Sequence, residues 1–232
     1  MFTCTELEKA IGYTFKDKNL LELALTHTSF ANENHNDKSF HNERIEFLGD
    51  AVLELISSEY FYNNMPGQSE GEMTKARASM VCEPTLAFCA REIGLDRFIR
   101  LGKGEELTGG RNRDSIVSDA FESLIGAIYL DSGFSAAKEF VLSYVLNDIE
   151  HKRYFYDSKT ILQEYIQDKH VENFSYELLE ESGPDHDKRF TIGVIIDGKL
   201  LGRGTGRTKK AAQQMAAYKT LKKLNITGNG EE

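Results

Sequence analysis

The amino-acid sequence predicts two folds in series: an all-α domain over residues 1–150 and a small α+β domain of α-β-β-β-α order over residues 157–225. Three observations carry this expectation. Apolar residues in the first 150 positions recur at spacings of three and four, without a stretch of strict alternation. Strand-like alternation begins only in FSYELLEE, KRFTIGVIID and GKLLGRGTG. The helical period then returns in KKAAQQMAAYKTLKKL.

Taken in order, Thr5 and Glu8 have capping-box spacing at the first helix, and Asp17 can cap NLLELALTH. Ser69 and Glu72 repeat the box before GEMTKARASMV, and Pro84 suits a first helical turn. The loop GKGEELTGGRNRDS, with four glycines, separates these helices from SIVSDAFESLIGAIYLDSG. SAAKEFVLSYVLNDIE closes the domain as an amphipathic helix. Residues 151–156, within HKRYFYD, lack apolar periodicity and are expected to be a linker. TILQEYIQDKH then starts the second domain, and Asp197-Gly198 is a hairpin signal between its last two strands. Three antiparallel strands with two helices on one face is the economical packing of this order. Residues 226–232 are expected to be a disordered tail.

With 232 residues, 40% of them hydrophobic, the chain can bury a sizeable core. It has no apolar run of the roughly 20 residues that a membrane span needs, and MFTCTELEKA lacks the regions of a signal peptide. A cytoplasmic protein with no membrane partner is expected. Cys4, Cys82 and Cys89 are odd in number and lack zinc spacing, which points to reduced, packed thiols. The formal net charge of -9 is unevenly spread. Residues 1–156 hold 16 Lys and Arg against 25 Asp and Glu, whereas residues 157–225 hold 12 against 10. This balance argues against nucleic-acid binding through bulk charge, so any such binding needs a local basic patch or metal ions.

The stretch HNERIEFLGDAV poses the chemical question. Helical spacing puts Ile45, Leu48, Val52, Leu55 and Ile56 on one side, and Glu43, Glu46 and Asp50 on an adjacent strip. Residues 115–130 repeat the pattern, with Asp119 and Glu122 set into an almost wholly apolar helix. Acidic residues on helices are ordinarily solvated surface. Two acidic strips without a local cation, in helices too apolar to expose, are costly unless a cation joins them. Oxygen-only ligands select hard ions, which implies Mg²⁺, with Mn²⁺ able to substitute, and hence phosphoryl chemistry. Glu54 continues the first strip but is expected to be solvated. Glu70, at a helix start, is favoured there by the macrodipole alone.

In the second domain Thr160, Gln163, Glu164 and Gln167 share the outer face of a helix and can exchange hydrogen bonds with ribose 2′-hydroxyls. Lys209 and Lys210 lie in a first helical turn, where positive charge opposes the dipole, and Arg207 adds to the cluster. Backbone amides and lysines there make a phosphate site, with Gly204 and Gly206 expected to allow close approach. His186 lies at the turn between the first two strands, placed to probe a neighbouring groove.

These blocks together resemble a known family. HNERIEFLGDAV, GEELTGGRNRDSIVSDAFESLIGAIYLD and ALTHTSFANE are similar to signatures of the ribonuclease III endonucleases, and DSKTILQEYIQ with GRGTGRTKKAAQQMAA resembles a double-stranded RNA-binding domain. The resemblance spans roughly residues 5–225, in the order of the bacterial two-domain type. It implies a ribonuclease III-like all-α domain that forms a homodimer and hydrolyses double-stranded RNA with divalent ions, leaving 5′-phosphate and 3′-hydroxyl ends, in ribosomal and messenger RNA processing. It further implies a metal cluster of Glu46, Asp50, Asp119 and Glu122, with Asp50 and Glu122 catalytic. Glu43 and Glu70 match acidic positions of the cleft or dimer contact, and Phe47 an aromatic packed into the partner subunit. Gln163, Gln167, His186, Lys209 and Lys210 fall on RNA-contact positions. A duplex-binding protein that does not cleave, or a phosphohydrolase of small nucleotides, are the competing readings; the complete acidic set opposes the first and the RNA-reading module the second.

Overall fold

The computed structural model describes residues 4–34, 39–183, 188–206 and 208–226. The chain divides into two compact units, Met1–Asn147 and Asp148–Glu232. The first contains α1 (Cys4–Ile11), α2 (Lys18–Ala24), α3 (Thr28–Asn34), α4 (Glu43–Asn64), α5 (Glu70–Val81), α6 (Glu83–Glu92), α7 (Lys103–Leu107), α8 (Asp114–Ser132) and α9 (Phe134–Tyr144).

Local signals account for several of these boundaries. The Asp17 side chain accepts the Asn19 N–H at 2.9 Å, Ser69 and Glu72 form the reciprocal capping box of α5, and Pro84 sits in the first turn of α6. The expected Thr5–Glu8 box does not form. Both residues lie within α1, and the buried Glu8 carboxylate instead accepts the Phe15 N–H at 2.7 Å and pairs with Lys18. A carboxylate taken out of water needs such partners more than a helix end needs a cap.

The core is built around α8, whose Val117, Ala120, Phe121, Leu124, Ile125 and Ile128 are fully buried. Helix α4 supplies Ile45, Val52, Leu53, Ile56 and Phe61. Leu55, expected among them, is instead 58% exposed, on a side of α4 shared with Phe47 and Tyr62. The two helices meet through glycine. A Cβ on Gly49 would lie 1.8 Å from the Glu122 carbonyl oxygen, and one on Gly126 would lie 2.4 Å from that of Ile45. No other residue permits this approach.

The glycine-rich loop holds more structure than its composition indicates, with α7 and a 3₁₀ turn at Gly110–Asn112. It is tied down by the ALTHTSFANE segment. Ser29 Oγ accepts the Gly102 N–H at 2.9 Å, and Glu33 accepts those of Lys103 and Gly104 at 2.7 and 3.2 Å. Cys82 and Cys89 are free thiols, the latter buried.

The second unit contains α10 (Ile149–Asp168), β1 (Phe174–Ser182), β2 (Arg189–Ile196), β3 (Lys199–Gly206) and α11 (Lys209–Lys223). The strands form an antiparallel sheet in the order β1-β2-β3, with a bulge between Leu178 and Glu180. Asp197 and Gly198, with φ of 48° and 73°, make the two-residue turn that joins β2 to β3. Residues 151–156 are helical rather than a linker. They form the early turns of α10, where Lys152, Tyr154 and Phe155 are buried and Phe155 meets the Tyr218 ring edge-on at 5.1 Å. The packing partner is remote in sequence, which is why periodicity within six residues did not show it.

Candidate metal centre and nucleic-acid interface

The glycine contact between α4 and α8 decides the geometry of the acidic residues. It brings carboxylate oxygens of Glu46, Asp119 and Glu122 within 4.8 Å of one another, each side chain half-buried. Among the described residues none of the three forms an ion pair with Lys or Arg; on the helices and loop around them Arg113 pairs with Glu105, Arg91 with Asp114 and Arg77 with Glu54.

The electrostatic consequence is large. Burial, then the charges of Asp50, Asp119, Glu46 and Glu54, pushes the Glu122 carboxyl up to about 8. Burial, then Asp119, Glu43 and Asp50, raises Glu46 to about 7. Burial, then Glu83, raises Asp119 to about 6, with Ser118 opposing through a hydrogen bond and Glu43 adding to the rise. Carboxylates that repel in a half-buried site retain protons until a cation takes their place. Three convergent oxygen donors with no nitrogen or sulfur donor fit a hard divalent ion.

The other acids stand at different distances from this group. Asp50 is exposed at its edge, outside the tight triad, though its charge reaches both Glu46 and Glu122. Glu43 is exposed, 3.8 Å from His41 Nδ1, and its charge is felt at Glu46 and Asp119. Glu70 is exposed at the start of α5, accepts the Thr74 hydroxyl at 2.8 Å and is not one of the three convergent carboxylates. Glu54 is not simply solvated: it is half-buried and paired with Arg77 at 3.0 Å. Glu83, in the first turn of α6, acts on Asp119 through its charge and carries no local sequence signal for this, because Asp119 lies on another helix. Phe47, beside Glu46, is 80% exposed.

In the second unit, Leu162 and Ile166 are buried, which turns Thr160, Gln163, Glu164 and Gln167 outward on α10. Lys209 and Lys210 are exposed in the first turn of α11, which Thr208 caps by accepting the Ala211 N–H at 3.0 Å. The Lys209 ammonium lies 5.6 Å from the Phe190 ring centre. Gly204 and Gly206 have a different role from the phosphate approach expected of them. A Cβ on Gly204 would lie 2.2 Å from the Ala212 oxygen, and one on Gly206 2.7 Å from the Ala212 nitrogen, so these glycines, with Gly202, seat α11 on β3. Alternate residues of a strand share a face, and here that face meets a helix. His186 and Arg207 lie outside the described residues.

Comparison with known proteins accounts for both units. The family described as Ribonuclease-III-like matches residues 17–149, and the Double-stranded RNA binding motif matches residues 158–224. Ribonuclease 3 of Desulforamulus reducens is 49% identical over 225 residues, covering 96% of this chain and 92% of the relative. The chain belongs to the ribonuclease III family. Ribonuclease 3 of Caldanaerobacter subterraneus is likewise 49% identical, over 96% of this chain and 98% of that one. A solved nuclease domain of ribonuclease III from Campylobacter jejuni, 45% identical, superposes with a TM-score of 0.58, covering 62% of this chain and 96% of that domain. That structure was described for flexibility in a region involved in dimer formation. Family membership gives the two units one purpose, a helical nuclease domain followed by a double-stranded RNA-binding domain.

Proposed function

We propose that the protein is a homodimeric, Mg²⁺-dependent endoribonuclease of double-stranded RNA, with Glu46, Asp50, Asp119 and Glu122 holding the ion. One observation carries the reading: three carboxylates converge in a half-buried site with no Lys or Arg paired to them among the described residues. A protein that only bound duplex RNA would have no use for so costly an arrangement. A divalent ion at this site supplies charge neutralisation at the scissile phosphate and a water acidic enough to attack at neutral pH.

The protein's own part is to hold the donors ready. Glu46 and Glu122 come from helices locked by Gly49 and Gly126, so little reorganisation accompanies ion binding. Residues 148–226 would track the duplex, Thr160, Gln163, Glu164 and Gln167 meeting ribose hydroxyls, and Lys209, Lys210 and Arg207 meeting phosphates. Phe47, Leu55 and Tyr62, exposed on one side of α4, would form the dimer contact beside the cluster. Glu43 and Glu70 are assigned to the cleft rim. Among the described residues no helix is long and apolar enough to cross a membrane; a cytoplasmic site of action, on structured RNA precursors, fits this reading.

The test is incubation of purified protein with a long RNA duplex in Mg²⁺, in EDTA, and with a DNA duplex of equal length. Cleavage of RNA alone, only with the metal and with 5′-phosphate ends, is expected. Glu122→Gln keeps the shape of the side chain but removes its charge, and should lower cleavage by several orders of magnitude while leaving duplex binding intact. Wild-type cleavage by this variant would refute the assignment.

A further inference from the structure

The acidic strip of α4 does not end at Asp50. Glu54 follows one turn later, and its charge is felt at Glu122 across the helix contact. A free carboxylate there would enlarge the negative site. It is held instead by α5: one guanidinium nitrogen of Arg77 meets Glu54 Oε2 at 3.0 Å and Ser58 Oγ at 2.7 Å. Both partners belong to the same face of α4, four residues apart, so a single side chain anchors two successive turns. The pair is about one-third exposed on each side, and an ion pair of that exposure adds little to stability. Its placement has more effect on what lies beside it.

We infer that Arg77 is a positioning residue for the metal site: it holds Glu54 in an ion pair with α5 and offsets part of its charge, so that the ligand set ends at Asp50. The inference rests on the metal-site reading above. Ser58 adds a second anchor, since its hydroxyl oxygen accepts from the same guanidinium nitrogen that meets Glu54. Loss of Arg77 would leave Glu54 free to turn toward Asp50 and Glu122 as a further ligand or as uncompensated charge. Either outcome strengthens the attraction for a divalent cation.

Direct binding of Mn²⁺ to the RNA-free protein, followed by the electron paramagnetic resonance of the free ion at low ionic strength, tests this. Arg77→Gln should bind Mn²⁺ about threefold or more tightly than wild type, the scale expected for one unit charge near a divalent ion in partly screened surroundings. Glu54→Gln, which leaves the guanidinium unopposed, should bind more weakly by a similar factor. The double variant, with both charges gone, should return to within about twofold of wild type, and Arg77→Lys should stay near it. A merely structural role would lower thermal stability without moving these affinities in opposite directions. Unchanged Mn²⁺ affinity in Arg77→Gln, or failure of the double variant to restore it, overturns the inference while the metal site stands. If Glu122→Gln binds Mn²⁺ as wild type does, the metal-site reading itself falls, and this inference with it.

Discussion

Gly49 is the point at which a single methyl group should disable the site without touching a carboxylate. In Gly49→Ala the new Cβ would lie 1.8 Å from the Glu122 carbonyl oxygen, 2.6 Å from its carbon and 3.1 Å from the Gly126 nitrogen, all backbone atoms of α8. Ordinary contact begins near 3.4 Å, so α4 and α8 must separate by about 1.5 Å at their crossing. Backbone cannot rotate away as a side chain can. Overpacking of this kind costs about 1–3 kcal/mol, and more where the neighbour is rigid. The same separation pulls Glu46 and Asp50 away from Asp119 and Glu122, and a misplacement of about 1 Å costs roughly 10²-fold in rate. The assay is single-turnover cleavage of a long RNA duplex in Mg²⁺ beside thermal unfolding of the same preparation. Cleavage should fall by about 10²-fold or more, with a lower melting temperature. Wild-type rate and stability would refute the claim that this contact sets the cluster.

Three further outcomes are expected. In metal-free protein the raised carboxyls of Asp119, Glu46 and Glu122, at about 6, 7 and 8, favour the folded state while protonated. That stability is fully present below about pH 4, near their unfolded values, and is lost as pH rises toward 8; His27, whose pKa burial lowers, acts in the opposite sense around its ordinary value. Melting curves of wild type and Glu122→Gln from pH 5 to 8 should therefore diverge, with the variant losing less, and Mg²⁺ should stabilise wild type increasingly with pH; parallel curves would contradict this. Phe47→Asp should weaken the dimer by on the order of 2 kcal/mol or more if the exposed ring is a buried anchor there, as measured by sedimentation equilibrium; a wild-type protein monomeric at micromolar concentration would refute it. Lys209→Ala with Lys210→Ala should weaken duplex RNA binding and reduce the slope of log affinity against log salt by about two, while Mn²⁺ binding stays unchanged.

Much of this protein is determined locally, and such features were legible in the sequence. The caps at Asp17 and Ser69, the turn at Asp197-Gly198 and the change of period that separates helical from strand segments all depend on residues within a few positions of one another. The acidic spacing on α4 and the outward face of α10 follow from helical geometry alone, so Glu46, Asp50, Thr160, Gln163 and Gln167 could be picked out. Tertiary structure decided what depends on remote partners. Glu8 left its cap for Phe15 and Lys18, and residues 151–156 became helix because Tyr218 lies across from them. Gly204 and Gly206 serve α11 rather than a phosphate, and Glu54 answers to Arg77 on a different helix. That Glu46, Asp119 and Glu122 meet at all is a property of the Gly49–Gly126 contact: sequence spacing arranges charges along one helix, but only the distance between two helices decides whether those charges must share a cation.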